Sequence, residues 1–224
     1  MYFITKQTIQ KTLDKMAKRV AFFASKEEVE EYYNIQTNKQ ALFEPHYNLS
    51  PGHQLPVIIL NNGEPEITRV RWGQMGANRA EQTTTEKEKV LDELKKNHVK
   101  RCILSLSGFF VWKDDEEKNH PFFIRLLNNA VMSVAGLYYE GDESFVSIIT
   151  TEANTLVEPM SATMPMMLDR PTALQWLDPG IDLEDLLKEA GNLFMLTDLS
   201  VLRVSKKVND PTNNSPEIIQ PIPK

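Results

Sequence analysis

The chain has 224 residues, 41% hydrophobic and 25% charged, with a formal net charge of −6. This is an ordinary globular composition, which excludes fibrous, low-complexity and disordered classes. No apolar run approaches the roughly 18 residues of a membrane span, and no signal segment follows Met1, so the expectation is a cytoplasmic protein without a membrane partner.

The first elements are a short strand in "YFIT" and an amphipathic helix in which Ile9, Leu13, Met16 and Val20 form one stripe. "SKEEVEEYYN" reads as a second, acidic helix. Pro45 to Pro56 is a loop punctuated by Pro and Gly, and it leads into the strand "VIILN". Asn62-Gly63 then signals a hairpin turn before "EITRVRWG". Thr85 with Glu88 has the capping-box spacing, which predicts a helix over "EKEKVLDELKKN" with Val90, Leu91 and Leu94 inward. Short strands follow in "KRCILSLSG", "FFVWK", "PFFIRLL", "VMSVAGLYY" and "FVSIITT", with "KDDEEKN" as a solvated charge run. Pro171 opens a helix that stops before Asp178-Pro179-Gly180, and Asp182 caps "LEDLLKEAG", which Gly191 ends. The last strand, "LSVLRVSKKV", precedes an irregular tail, 209–224. Strands in a run with helices around them predict an α+β fold on a strongly bent, barrel-like mixed sheet.

The negative charge argues against sequence-blind attraction to nucleic acid but leaves room for a local basic groove. The single cysteine, Cys102, excludes an internal disulfide and reads as a buried strand residue. His46 and His53 share a loop with Glu44, while His98 and His120 stand apart, so turn and surface roles are expected and no metal or cofactor is. Phosphate-loop and nucleophile-elbow motifs are absent.

What remains is basic and aromatic. Arg69 and Arg71 alternate along "TRVRW", which puts both guanidinium groups on one face and Trp72 on the other. Arg79 in "NRAE" could join them in a single-strand groove, with arginines on phosphates and an aromatic against bases. The alternative is that the arginines pair with surface carboxylates and Trp72 is core.

In order, "YNLSPGHQLPVI", "RWG", "NRAE", "KRCILSLSGFFVW", "FFIR", "VAGLYYE", "SIITTEAN", "MPMML" and "VSKKVND" resemble the SOS-response-associated peptidase family, the abasic-site processing proteins. The resemblance implies a single domain over 1–224, an α+β fold around a barrel-like sheet, and a positive cleft for single-stranded DNA. It also implies that the polar elbow 150–154 is a strand end behind that cleft. The family's chemistry uses a cysteine exposed by removal of the initiator methionine, whose amine and thiol condense with the aldehyde of a ring-opened abasic sugar. Asparagine, glutamate and histidine assist.

This chain departs at each of those places: Tyr2 follows Met1, Val111 holds the glutamate position, Ser161 the histidine position and Ala77 the asparagine position, with Asn78 one residue on. Asn48, Pro51, Arg71, Trp72, Arg79 and Glu81 match. The expectation is therefore a diverged DNA-binding member in which Arg69, Arg71 and Arg79 meet phosphates, Trp72 supports or stacks, and Asn48 and Asn78 hydrogen-bond sugar or phosphate. The crosslinking chemistry is expected to be lost or altered. The rival is a working enzyme using the Met1 amine with Asn78 and Ser161; a third reading is an interaction protein that binds no DNA.

Overall fold

The computed structural model describes residues 18–115, 118–127, 131–189 and 198–222. The expected strand in "YFIT" and most of the expected helix over Ile9 to Val20 lie outside them. Val20 itself belongs to a strand, β1 (Val20–Phe22), which pairs with two neighbours and so cannot extend the helix. The other strands are β2 (His46–Leu49), β3 (Gln54–Asn61), β4 (Glu64–Trp72), β5 (Gln74–Met75), β6 (Ala80–Glu81), β7 (Thr84–Glu86) and β8 (Val99–Leu106). They continue as β9 (Gly108–Asp115), β10 (Lys118–Leu126), β11 (Met132–Tyr139), β12 (Phe145–Glu152), β13 (Thr163–Pro165), β14 (Met167–Leu168) and β15 (Leu199–Arg203). The helices are α1 (Lys26–Tyr33), α2 (Val90–Leu94), α3 (Arg170–Leu177) and α4 (Leu183–Glu189).

The expected α+β barrel-like sheet is present. Strand β12 pairs with β4, β4 with β3, β3 with β8, β8 with β11, and β11 again with β12, so these strands close into a ring. Closure explains the burial of β8, β11 and β12 along nearly their whole length: one face fills the ring and the other is covered. Helix α3 supplies part of the cover, and its Trp176 donates from Nε1 to the Cys102 carbonyl at 2.9 Å. The β3–β4 turn has Asn62 at φ 52° and Gly63 at φ 85°, the left-handed pair that tight hairpins need.

A second sheet, ordered β15-β10-β9-β1-β2, stands beside the ring. Helix α1 starts at a complete capping box, in which Ser25 Oγ accepts from Glu28 N and the Glu28 carboxylate from Ser25 N. The capping box expected at Thr85 and Glu88 does not form. Thr85 lies within β7, paired in parallel with β12, and its hydroxyl meets Ser147 Oγ at 2.5 Å in a buried site. Strand pairing and a buried hydroxyl pair replace the cap, leaving a 3-10 turn (Lys87–Lys89) and the short α2 with Val90 buried but Leu91 37% exposed.

The last expected strand stops at Arg203, short of Val208, because a 3-10 turn capped by Ser205 takes Lys206–Asn209. The tail beyond is irregular yet anchored: a 3-10 turn at Pro216–Ile219 lays Ile218 and Ile219, with Val208, against Ala21, Phe110 and Phe123 of the second sheet. Among the described residues no helix is long and apolar enough to cross a membrane.

Candidate nucleic-acid interface

The C-terminal end of β4 organises the site. Backbone bonds from Gly52 N to Trp72 O and from Trp72 N to His53 O, each 2.8 Å, fasten the 50–53 turn to it. Arg71 ion-pairs with Glu143 at 3.1 Å, and the two remain 35% and 72% exposed. Arg69 is spent differently: it donates to the Leu42 carbonyl at 3.1 and 2.9 Å, to Glu44 O at 3.0 Å and to Gln54 O at 3.4 Å, and its guanidinium carbon lies 5.8 Å from the Phe22 ring centre. Four of its five N–H donors are engaged, with one N–H of Nη1 left over, so neither edge of the fork offers a phosphate two free donors. A cavity of about 400 Å³ opens beside these arginines, but Glu66, Asp142 and Glu143 line it too, so its charge is mixed.

Trp72 is 0% exposed and donates from Nε1 to Thr83 O at 2.7 Å. This corrects the stacking expectation: an indole enclosed in the core with its N–H satisfied presents no face to a base. Asn48 is likewise fully buried. Its Nδ2 donates to the carbonyls of Val208, Asp210 and Asn213 at 3.2, 2.9 and 3.0 Å, so it ties the tail to β2 and does not reach a sugar or phosphate. Its Oδ1 is buried without a partner, an orientation held by the three carbonyls, which would repel the oxygen.

Past Trp72 the chain turns at Gly73, φ 82°, where an added Cβ would stand 2.7 Å from both Glu81 O and Thr83 Cγ2. Only glycine fits this close, left-handed approach. It launches the β5–β6 hairpin, closed by Gly76 N donating to Arg79 O at 3.0 Å. Asn78 and Arg79 sit at its tip, both exposed, and Arg79 has no ion-pair or hydrogen-bond partner among the described residues. Of the expected DNA contacts, these two are the ones presented to solvent and unengaged.

The remaining candidates do not gather there. Val111, on β9 opposite Phe122, is 1% exposed and packed in the main core. Ser161 lies on the return from the polar elbow and donates to Thr163 O at 2.7 Å. Of the elbow's polar groups, Asn154 serves the turn, its Oδ1 accepting from Leu156 N and Val157 N at 3.2 and 3.1 Å, Thr150 Oγ1 donates across to Thr85 O at 3.4 Å, and the chain re-enters antiparallel to β12 as β13. Met1 and Tyr2 lie outside the described residues. Burial pushes the Cys102 thiol well above its ordinary pKa, which removes it as a nucleophile.

Two groups carried little weight in the sequence and matter here. The rings of His46 and His53 stand 5.3 Å apart, and each accepts a backbone N–H on Nδ1, from Asn48 and Ser50 respectively, at 3.2 Å. The expected Pro45–Pro56 loop is strand at both ends, so only His53 takes the expected turn role, while His46 opens β2 because its backbone pairs with β1. Burial holds both below the ordinary histidine pKa, reinforced for His46 by His53 and Arg69 and for His53 by Arg19. Their spacing across Asn-Leu-Ser-Pro-Gly was visible in the sequence, but the approach of His53 to Arg19 and of His46 to Arg69 needed the fold.

The bent ring with a flanking sheet is shared with solved structures. A protein from Bacteroides thetaiotaomicron superposes with a TM-score of 0.76 at 19% identity, covering 92% of this chain and 99% of that one. A phage-related protein from Bordetella bronchiseptica gives 0.67 at 20% identity, covering 84% and 93%. The class is therefore an α+β fold with a bent, ring-closing sheet. The family model described as SOS response associated peptidase (SRAP) matches residues 16–211, and the chain belongs to that family. Its relatives include the abasic site processing protein YoqW of Bacillus subtilis, 29% identical over 92% of this chain and 99% of that protein. The abasic site processing protein HMCES of Xenopus tropicalis is 24% identical over 80% and 67%. Met1 and Tyr2 lie ahead of the matched span.

Proposed function

We propose that the chain binds single-stranded DNA at abasic sites in the DNA-damage response, in keeping with the abasic site processing that the names of its relatives describe, and that its crosslinking chemistry is lost or altered. The observation that carries the binding reading is the β5–β6 hairpin: Arg79 is exposed and, among the described residues, unpaired, on a hairpin that Gly73 launches, while Arg69 and Arg71 of β4 are already engaged. A free guanidinium on an acidic protein is the group through which a phosphate would be held. Asn78 beside it offers an amide to sugar or phosphate.

The chemistry reading rests on what replaces the family's helpers. Val111 is hydrocarbon in a closed core, and Ser161 spends its proton on Thr163 O, so neither moves a proton to or from an aldehyde. A thiazolidine needs an amine and a thiol on one residue, and Tyr2 offers no thiol. The family match beginning at residue 16 supports looking for the counterpart of the family's first residues near Met16 and Ala17, where again there is no thiol.

The test is incubation of the full chain with single-stranded DNA with and without an abasic site, read by titration and by intact mass. Weak, salt-sensitive binding is expected, with log affinity falling against log salt at about −0.7 per phosphate neutralised, and no adduct surviving heat. Absence of binding at low salt overturns the reading; a heat-stable adduct promotes the enzyme that uses the Met1 amine.

A further inference from the structure

The pair His46 and His53 is not used by the hairpin reading, and its geometry fixes its chemistry. Each Nδ1 lone pair is taken by a backbone N–H, so the neutral tautomer of each ring carries its proton on Nε2. Two imidazole N–H donors therefore stand side by side with no Nε2 acceptor among the described residues. Arg19, half-buried at the start of β1, adds a guanidinium whose Nε has no partner and whose Nη1 reaches only the Lys18 carbonyl. Arg69 of β4 acts on His46 and contributes charge, although four of its five donors are engaged; Glu44, acting on Arg69, is the carboxylate that tempers it.

The cluster is thus rich in donors and poor in acceptors, the reverse of a cation site and the complement of an oxyanion. It also stands near the hairpin that carries Arg79, since the 50–53 turn is fastened to Trp72, one residue before Gly73.

We propose that His46 and His53, with Arg19 beside them, form an oxyanion site that holds a phosphate group of the DNA strand. The assignment rests on the DNA-binding reading for its ligand but not for its chemistry. The neutral pair binds through two Nε2–H donors. A bound phosphate favours protonation of the rings, so affinity rises as pH falls from 8 towards 5.5. A second proton enters at Nδ1 and displaces the backbone N–H held there, which sets a limit on the gain.

The experiment uses the full chain and follows the histidine ring nitrogens by NMR during addition of a thymidine oligonucleotide and, separately, of inorganic phosphate. Affinities are measured for the wild type and for His46→Asn/His53→Asn. Asparagine keeps an oxygen where Nδ1 accepts its backbone N–H but has no ring N–H and does not titrate.

Both ligands are expected to shift the Nε2 signals of these two rings saturably. The variant should bind the oligonucleotide about tenfold more weakly, the equivalent of one charge-assisted hydrogen bond, and lose the rise in affinity at low pH. If the oligonucleotide binds the wild type while the two rings stay silent, the proposal is overturned and the DNA reading stands. If inorganic phosphate shifts the rings and the oligonucleotide does not bind at all, the oxyanion site stands and the DNA reading falls. The ring signals of the wild type decide the matter even if the variant folds poorly.

Discussion

Two neighbouring regions at one end of the barrel use the same residue types to opposite ends. Around β2, β3 and β4, Asn48, Arg69 and Trp72 direct nearly all their donors at the protein's own carbonyls. On the hairpin 74–81, Asn78 and Arg79 direct theirs at solvent. An amide or a guanidinium in a family block is therefore not by itself a ligand contact. What decides its duty is whether the fold has brought acceptors within its reach before any ligand arrives.

The comparison breaks most visibly at Trp72. Trp72→Ala should cost about 3–5 kcal/mol of stability by cavity formation and loss of the bond to Thr83, read as a lower midpoint in urea; a surface stacking residue would leave the midpoint unchanged and weaken DNA binding alone. Asn48 should follow. Asn48→Ala removes the donor that holds three tail carbonyls and is expected to cost about 2 kcal/mol, with faster amide exchange in 208–213. Asn48→Asp should cost more, because an acceptor then faces three acceptors. Equal stability of both variants would return Asn48 to the list of ligand contacts.

Acid probes the histidines between the two regions. Both have folded pKa values below 6.5, so the unfolded chain binds protons first. The stability they allow is complete above about pH 6.5 and is lost as pH falls from there through the folded values. Thermal melts from pH 8 to 5 should show this loss, and it should be smaller in His46→Asn/His53→Asn.

Smaller effects are expected at the arginines. Arg71→Gln breaks a solvent-exposed pair and should change stability by less than about 1 kcal/mol, while making the mixed-charge cavity more acidic. Arg79→Ala should change stability by less than about 0.5 kcal/mol yet lower the magnitude of the salt slope for oligonucleotide binding by about 0.7. A normal slope in that variant would erase the contrast between the two regions.

The sequence by itself determined the strands β8 to β12, helices α1 and α3, the Asn62-Gly63 hairpin and the family's ordered blocks, because all of these are written in local periodicity, turn chemistry and caps. It also limited the reactive groups, since side-chain type at Val111 and Ser161 settles which protons can move. Tertiary structure decided the rest. Thr85 left its capping box because β12 offered a strand partner and Ser147 a buried hydroxyl, and the Pro- and Asn-rich tail became anchored because Ala21, Phe110 and Phe123 gave Val208 and Ile218 a surface to cover. Asn48, Arg69 and Trp72 were read as ligand contacts from their identities. Their partners lie as far off as residue 213 in the chain and come within hydrogen-bond reach only when the sheets close. Such non-local acceptors leave no periodic trace in the residues that bind them, so closure of the fold alone separates the engaged donors from Asn78 and Arg79, which it leaves free.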